Sequence, residues 1–253
     1  SSDRLSRIMK DIHGDIWIST WGDGANKYDG ESFTHFSIEQ GLAHDIVWGI
    51  LEDRRGTIWM ATALGLCKYD GKLFNHFVPF IEEDVGIIMA AKNGDIWIGS
   101  VTGEFLDKYD GKSISRYTIR EGLPHHVIQN IIEDRDGNMW FGTLGGVTKF
   151  DGRYFTNYSK KNGLIDDNVL YQVEDAKGNL WFGTLSGLSK FDGKVFTNYE
   201  IESDENVPVF SLLEDHQGTI WIGTFNMGVY SFDGVTFTQY DPAHSVSHKM
   251  ISG

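Results

Sequence analysis

Short apolar runs, separated by glycine and aspartate, recur along the whole chain and have the composition of β-strands. One of these runs contains a tryptophan and occurs six times. Its tryptophans are Trp17, Trp59, Trp97, Trp140, Trp181 and Trp221. Subtraction of their residue numbers gives spacings of 42, 38, 43, 41 and 40 residues. A period near 40 residues that is made of strand-like pieces predicts an array of structural repeats.

A single repeat is predicted to hold four strands. In the repeat that contains Trp59, the strands cover residues 47–52, 57–62, 66–69 and 73–77, and we name them A to D. A turn with Asp53 and Gly56 joins A to B, since aspartate caps its own backbone and glycine adopts the left-handed conformation. An Asp-Gly pair, the strongest short-range signal for a hairpin, joins C to D. The pair follows an aromatic residue in all six repeats, at Asp29-Gly30, Asp70-Gly71, Asp110-Gly111, Asp151-Gly152, Asp192-Gly193 and Asp233-Gly234.

These repeats predict an all-β fold, a six-bladed β-propeller of four-stranded antiparallel blades. A four-stranded sheet cannot bury both of its faces alone, and stacking sheets around an axis covers them. The repeated tryptophans are expected to pack between neighbouring blades. We expect one domain over residues 1–253, because the repeat runs nearly end to end without a linker. The chain stops where a seventh copy would start, so six closed blades and part of a seven-bladed ring are both open.

Charge and composition narrow the classes of partner. The net charge of −14 and the lack of a basic stripe argue against a nucleic-acid partner. No apolar run approaches the length of a membrane span, so we expect no membrane insertion by this chain. Cys67 is the one cysteine, which rules out an internal disulfide. It lies in a repeated strand where other copies have Ser or Thr, and we interpret it as a buried small residue.

Differences between the copies point to a candidate binding site. Strand A is taken as innermost, so the D–A and B–C loops share one face, and this loop face is where the copies diverge. Binding residues concentrate on variable loops that a rigid scaffold holds. Trp21 and Trp48 are the two tryptophans that the repeat does not require, and exposed aromatic rings stack on sugar rings. The predicted pocket at the axial mouth is lined by Trp21, Trp48, Tyr171 and Phe225, with hydrogen bonds from Asn226, Gln129 and His44. The alternative is that these side chains fill the central channel or pack between loops.

The polar residues give no catalytic, metal or cofactor prediction. His44 and His125 occupy equivalent positions before a strand A, and Asp166 has that place in the next repeat, which is typical of loop caps. Residues 134–138 superficially resemble a calcium loop, but the twelfth residue is Gly145 rather than the glutamate that such a loop needs. We interpret them as a turn, and we interpret the acidic runs at 82–84 and 200–205 as solvated faces. No Ser-His-Asp, two-carboxylate or zinc-ligand spacing is present.

The repeat resembles the two-component regulator propeller repeat. The resemblance rests on an Asp-x-x-Gly-x-Leu/Ile-Trp-Ile/Phe-Gly-Thr core, a glycine loop, an aromatic-Asp-Gly hairpin and a Gly-Leu segment, and residues 134–163 match it nearly throughout. It implies a periplasmic or extracellular sensor propeller of a hybrid two-component system, for which glycan fragments are typical signals. The family usually builds seven-bladed rings, and this chain has six repeats and no kinase segment. A more distant resemblance is to the propeller lyase that inactivates streptogramins, whose catalytic residues find no match here.

We therefore expect a ligand-binding or sensory module for a glycan or another small ligand, with a signalling domain in a longer parent protein. The alternatives are an enzyme, a lyase or hydrolase that acts on a glycan or small molecule, and a protein-interaction scaffold. An enzyme should place a histidine and a carboxylate within hydrogen-bond reach. A glycan binder should show exposed aromatic rings without that pair, and a scaffold should show a broad apolar patch.

Overall fold

The computed structural model describes residues 4–77, 84–100, 105–201, 206–225 and 227–240. They form 24 strands in six four-stranded antiparallel sheets, each a meander in chain order. The predicted all-β class and the four strands per repeat are confirmed. Within the described residues, short 3-10 turns lie between sheets at Ile38–Gln40, Ile119–Glu121 and Lys160–Asn162.

The strands group into two compact units, Ser1–Thr118 and Ile119–Gly253, which we call unit 1 and unit 2. Unit 1 contains sheets 1 to 3. Sheet 1 is β1 (Leu5–Lys10), β2 (Ile16–Thr20), β3 (Ala25–Tyr28) and β4 (Phe33–Phe36); sheet 2 is β5 (Val47–Glu52), β6 (Ile58–Thr62), β7 (Gly65–Tyr69) and β8 (Phe74–His76); sheet 3 is β9 (Val85–Ala90), β10 (Ile96–Ser100), β11 (Leu106–Tyr109) and β12 (Ile114–Tyr117).

Unit 2 contains sheets 4 to 6. Sheet 4 is β13 (Ile128–Glu133), β14 (Met139–Thr143), β15 (Gly146–Phe150) and β16 (Phe155–Tyr158); sheet 5 is β17 (Val169–Glu174), β18 (Leu180–Thr184), β19 (Gly187–Phe191) and β20 (Phe196–Tyr199); sheet 6 is β21 (Val209–Glu214), β22 (Ile220–Thr224), β23 (Val229–Phe232) and β24 (Phe237–Tyr240). The expectation of one domain over the whole chain stays a prediction.

The two repeated turns form as the sequence predicts. In the A–B turn, Oδ1 of Asp53 accepts the backbone N–H groups of Arg55 and Thr57, and Gly56 has a φ of +78°. In the C–D hairpin, Asp70 accepts the N–H groups of two residues that follow it. A short polar side chain thus satisfies backbone donors that the tight turn would otherwise leave without a partner.

The A–B aspartate also fixes the repeated tryptophan. Its second carboxylate oxygen accepts the indole N–H at 2.8 to 2.9 Å in five sheets. The pairs are Asp11–Trp17, Asp53–Trp59, Asp134–Trp140, Asp175–Trp181 and Asp215–Trp221. Sheet 3 has Ala91 at the position of the aspartate.

Four of the repeated tryptophans, Trp17, Trp59, Trp140 and Trp181, each contact an aromatic ring of the next sheet in the same unit. In unit 1, the ring of Trp17 meets Tyr69 of sheet 2 at a centroid distance of 5.6 Å. In unit 2, Trp181 stacks on Tyr199 of its own sheet at 5.7 Å and meets Phe232 of sheet 6 at 6.0 Å. The predicted packing of the tryptophans between neighbouring blades is confirmed for these pairs. Burial of such large rings supplies much of the apolar area that holds sheets together.

No helix in the described part of the chain has the length and apolar character that a membrane crossing requires.

Candidate functional site

Strand A of each sheet contains a β-bulge near its first residue, and this bulge positions two predicted site residues. The register of β5 against β6 skips Trp48, and the register of β13 against β14 skips Gln129. A bulged residue has no partner on the neighbouring strand, so its side chain is re-aimed relative to the regular pleat. The bulge therefore takes Trp48 and Gln129 out of the regular pleat of strand A.

Trp21 is brought to Trp48 by the loop after β2. Trp21 forms an isolated antiparallel bridge with Ile46, and its backbone N–H donates to the carbonyl oxygen of Arg4 at 3.1 Å. Its side chain is 44% exposed. The two indole rings meet edge to face, with centroids 4.7 Å apart and an angle of 81° between planes. The structure thus brings together the two tryptophans that the repeat does not require.

Asp84 completes this cluster, and the sequence analysis missed it. The indole N–H of Trp48 donates to Oδ1 of Asp84 at 3.2 Å. Burial raises the pKa of Asp84, while the Trp48 hydrogen bond and the nearby His44 act to lower it. Asp84 belongs to an acidic run that we had interpreted as a solvated face, but it is half-buried. Its only sequence signal is its place directly before Val85, where β9 begins.

His44 lies beside the cluster and also caps its own loop. Its Nδ1 accepts the backbone N–H of Ile46 at 2.9 Å. His125 accepts from Val127 at 3.0 Å, and Asp166 accepts from Asn168 at 2.8 Å, so the cap predicted for these equivalent positions is confirmed. We call Trp21, Trp48, Asp84 and His44 the tryptophan cluster.

The other predicted site residues belong to unit 2. Phe225 is 41% exposed and its ring lies 5.6 Å from that of Phe210, the bulged residue of β21. Tyr171 is half-buried against the apolar core around Trp181. Gln129 is half-buried, and Asn226 lies outside the described residues. A pocket that these residues share with the tryptophan cluster stays a prediction.

Several histidine rings and the cysteine of the described residues have identifiable partners. Among the described residues, no imidazole hydrogen-bonds a carboxylate, since the ring nitrogens of His35, His44 and His76 meet an amide side chain, a backbone N–H and a backbone carbonyl. The same residues contain no group of three or more side chains that could hold a metal ion. Cys67 is buried, its Sγ accepts the N–H of Ala43 at 3.3 Å, and burial raises its pKa to about 11, which confirms a packing role.

Comparison with known families identifies the repeat. Four segments, residues 41–63, 122–145, 163–186 and 203–226, match the family "Two component regulator propeller". Four of the six repeats, those that contain Trp59, Trp140, Trp181 and Trp221, therefore match the repeat of this family. Together with the six four-stranded sheets, this match establishes the β-propeller fold that the sequence predicts.

Solved structures share the fold of this chain. The extracellular domain assigned to a hybrid two component system of B. thetaiotaomicron is 24% identical with a TM-score of 0.84, and the match covers 100% of this chain and 36% of that one. A catalytically inactive virginiamycin B lyase from Staphylococcus aureus, with quinupristin, is 14% identical with a TM-score of 0.77, covering 97% and 86%. PorZ, a surface component of the type-IX secretion system of Porphyromonas gingivalis, is 17% identical with a TM-score of 0.74, covering 98% and 43%.

At these identities the likeness shows the fold alone. The chain spans about a third of the length of the extracellular-domain structures from B. thetaiotaomicron that it matches. No curated protein matches it.

Proposed function

We propose that this regulator propeller is a ligand-binding sensor module that stacks a glycan or another small ligand on the tryptophan cluster. The observation that carries the proposal is the edge-to-face pair of Trp21 and Trp48. Neither ring belongs to the repeated tryptophan positions, and Trp21 exposes nearly half of its surface. An exposed aromatic ring keeps apolar surface in contact with water, which is unfavourable. A ring-shaped ligand that stacks on it removes this surface from water and so gains binding free energy.

The polar groups of the cluster suit a ligand with hydroxyl groups. The indole N–H of Trp48 holds Oδ1 of Asp84. The carboxylate has a second oxygen, which accepts a hydrogen bond from a ligand hydroxyl, since ionised carboxylates accept several donors. The flat apolar ring of a tryptophan can stack on the apolar face of a sugar. The polar acceptors at the edge of that ring can then bind the sugar's hydroxyl groups.

The family and its solved relatives support a place outside the cytoplasm. Several similar structures are extracellular domains of two-component systems. We infer that this regulator propeller likewise lies in the periplasm or outside the cell and belongs to a longer signalling protein. Ligand binding at the propeller then changes the state of a signalling domain.

The test is a screen of an oligosaccharide array, followed by calorimetric affinities for the sugars retained. We expect Trp21→Ala and Trp48→Ala each to weaken binding by about tenfold or more, since stacking on an aromatic ring contributes on the order of 1–3 kcal/mol. Tyr154→Ala is the matched control, because Tyr154 is a 58% exposed aromatic residue of unit 2. Unchanged affinity in both tryptophan variants would show that the cluster is not the site.

The same oligosaccharides separate binding from catalysis. Each retained sugar is incubated with the protein and followed by chromatography. We expect the sugar to be recovered intact, because no described imidazole is hydrogen-bonded to a carboxylate that could make it a general base. Appearance of cleaved products would replace the sensor proposal by the enzyme alternative.

A further inference from the structure

A glutamate links consecutive sheets at three junctions inside the two units. It is the last residue of strand A, and its carboxylate accepts the N–H of the first turn residue in the preceding sheet. The contacts are Glu52 with Ile12 at 2.8 Å, Glu174 with Arg135 at 2.8 Å and Glu214 with Ala176 at 2.6 Å. We call this residue the junction glutamate.

The junction between sheets 2 and 3 has no junction glutamate. Ala90 occupies its position at the end of β9, and Arg54 occupies the turn position that would donate to it. Within the described residues, no carboxylate accepts the N–H of Arg54 and none forms an ion pair with its guanidinium.

The junction between sheets 4 and 5 shows what an arginine does at this position when the glutamate is present. Arg135 donates its backbone N–H to Oε2 of Glu174 at 2.8 Å and its Nε–H to Oε1 at 2.7 Å. One arginine thus holds both oxygens of one carboxylate, a strong and directional arrangement. Arg54 has the same two donors and lacks the acceptor.

A cavity of about 360 Å³ lies at the junction between sheets 2 and 3. Its lining includes Arg54, Arg55, Lys68, Asn93 and Tyr109. This volume lies in the range of small-molecule sites. The cavity therefore places the unused donors of Arg54 beside a space of ligand size.

The charges around the cavity favour an anion. In sheets 1 and 3, the lysine of strand C pairs with an aspartate, as Lys27 with Asp15 and Lys108 with Asp95. In sheet 2, Thr57 occupies the position of that aspartate. The strand-C lysine of this sheet, Lys68, instead lies over the rings of Trp59 and Phe77, with its Nζ 4.2 Å from each ring centroid.

The two carboxylates that line the cavity are already engaged. Asp53 accepts hydrogen bonds from Arg55, Thr57 and Trp59. Asp110 accepts from Lys112 and Ser113. The three cationic side chains of the lining, Arg54, Arg55 and Lys68, therefore exceed its carboxylates by one, on a chain whose net charge is −14.

We propose that this cavity binds a small organic carboxylate, which the backbone N–H and Nε–H of Arg54 hold in place of the absent junction glutamate. The internal model for the contact is the glutamate side chain held by Arg135, so the ligand presents a carboxylate at the end of a short chain. The site lies on the hairpin side of sheets 2 and 3, and it is independent of the tryptophan cluster.

The test follows the backbone amide signals of Arg54 and Arg55 by NMR while sodium butyrate is added at constant ionic strength. Butyrate reproduces the end of a glutamate side chain, and butyramide is its neutral isostere. We expect the two amide signals to shift and saturate with butyrate and to stay in place with butyramide. Equal shifts with the two compounds would overturn the proposal.

Two variants test the assignment of the donors. Arg54→Met should weaken butyrate binding by about tenfold or more, since a charged hydrogen-bond pair is lost. The Ala90→Glu variant supplies the carboxylate from within the chain. Without any butyrate, the backbone amide signal of Arg54 in this variant should therefore be shifted from its wild-type position, and added butyrate should not move it further. Ala90→Gln is the matched control for size without charge.

A thermal measurement checks the same contact without a ligand. Ala90→Glu should unfold at a higher temperature than Ala90→Gln at low salt, and the difference should shrink at high salt because screening weakens an exposed ion pair. A full butyrate response in Ala90→Glu, or no loss of response in Arg54→Met, would show that the cavity does not use Arg54 as its carboxylate site.

Discussion

At the scale of single residues, an interaction that recurs in five sheets joins an aspartate and a tryptophan six residues apart. Asp134 is 6% exposed, and one of its oxygens accepts the indole N–H of Trp140 at 2.8 Å. The other accepts the backbone N–H groups of Asp136 and Asn138. A single carboxylate thus orders a turn and fixes the ring that packs against the next sheet.

Removing this carboxylate should destabilise the protein strongly. We expect Asp134→Ala to lower the free energy of unfolding by about 2–3 kcal/mol, because hydrogen bonds to a charged acceptor are lost and the buried indole N–H loses its partner. Asp136→Ala is the control, since this exposed neighbour should cost less than about 0.5 kcal/mol. Urea unfolding measures both, and similar losses in the two variants would contradict the assigned role.

The same group predicts an acid-sensitive contribution to stability. Burial alone would raise the pKa of Asp134, but hydrogen bonds from Trp140 and Asn138 outweigh it and hold the pKa below the ordinary value of 3.8. A carboxyl group with a depressed folded pKa stabilises the fold above its unfolded pKa. That stability is lost as the pH falls through the folded pKa.

We therefore expect the stability difference between the wild type and Asp134→Asn to be full above about pH 5 and to narrow below about pH 4. Urea unfolding at a series of pH values measures this difference. A gap that stays constant across that range would mean that the Asp134 charge contributes nothing. Asp175 has the same partners in sheet 5, and the same causes lower its pKa, so Asp175→Asn should behave alike.

At the scale of elements, glycine sets how closely a strand approaches the backbone of the next. Gly146 begins β15 with a φ of +115°, and a Cβ atom there would lie 2.2 Å from the carbonyl oxygen of Tyr158. Gly152, in the hairpin that follows, has a φ of +93° but open space around it. The two positions share the strained dihedral and differ only in the clash.

Substitution of these two glycines by alanine distinguishes the stability lost to an unfavourable φ from the stability lost to a steric clash. We expect Gly152→Ala to lower the free energy of unfolding by about 1–2 kcal/mol, the cost of a left-handed residue with a side chain. Gly146→Ala should cost at least about 3 kcal/mol, because the strand must also move away from Tyr158. Chemical denaturation measures both values, and equal losses would show that the close approach in β15 is tolerated.

Elements also explain which site residues could be found from the sequence. Trp48 stands out because a large ring interrupts a strand that other copies fill differently, and Trp21 stands out because it extends a repeated segment. The bulge that re-aims Trp48 has no sequence signature of its own, since it depends on the register of β5 against β6. Asp84 could not be found, because its partner lies 36 residues away.

At the scale of the whole molecule, charge is the property with the widest effect. The chain carries 36 acidic and 22 basic side chains, for a net charge of −14. Self-repulsion of that size opposes compaction, and salt screens it over about 10 Å at 0.1 M. The ion pairs of Lys27, Lys108 and Arg135 are partly exposed and contribute little by comparison.

We expect the melting temperature to rise as sodium chloride is increased from about 0.02 M to about 0.5 M, since screening relieves repulsion more than it weakens surface ion pairs. Circular dichroism measures the transition. Sucrose at equal osmolality is the control, because it stabilises proteins by exclusion without screening charge. A fall in melting temperature with salt would indicate that attractive pairs dominate.

Much of the fold follows from local chemistry that is repeated in the sequence. Each Asp-Gly pair forms its hairpin, each A–B aspartate orders its turn, and apolar strands of the right length meet in the order in which the chain presents them. These interactions join residues two to six positions apart, so their spacing alone predicts four-stranded sheets and their number.

The candidate sites depend on contacts between different repeats, which spacing cannot supply. Asp84 meets Trp48 only because the loop before sheet 3 returns to the bulge of β5, and Arg54 lacks a carboxylate only because β9 is the strand that lies beside its turn. Nothing in the sequence around Ala90 distinguishes it as part of a site. Its role becomes visible only beside the neighbouring sheet, where it leaves the donors of Arg54 without a carboxylate among the described residues. The energy of a polar contact depends on which groups meet in space.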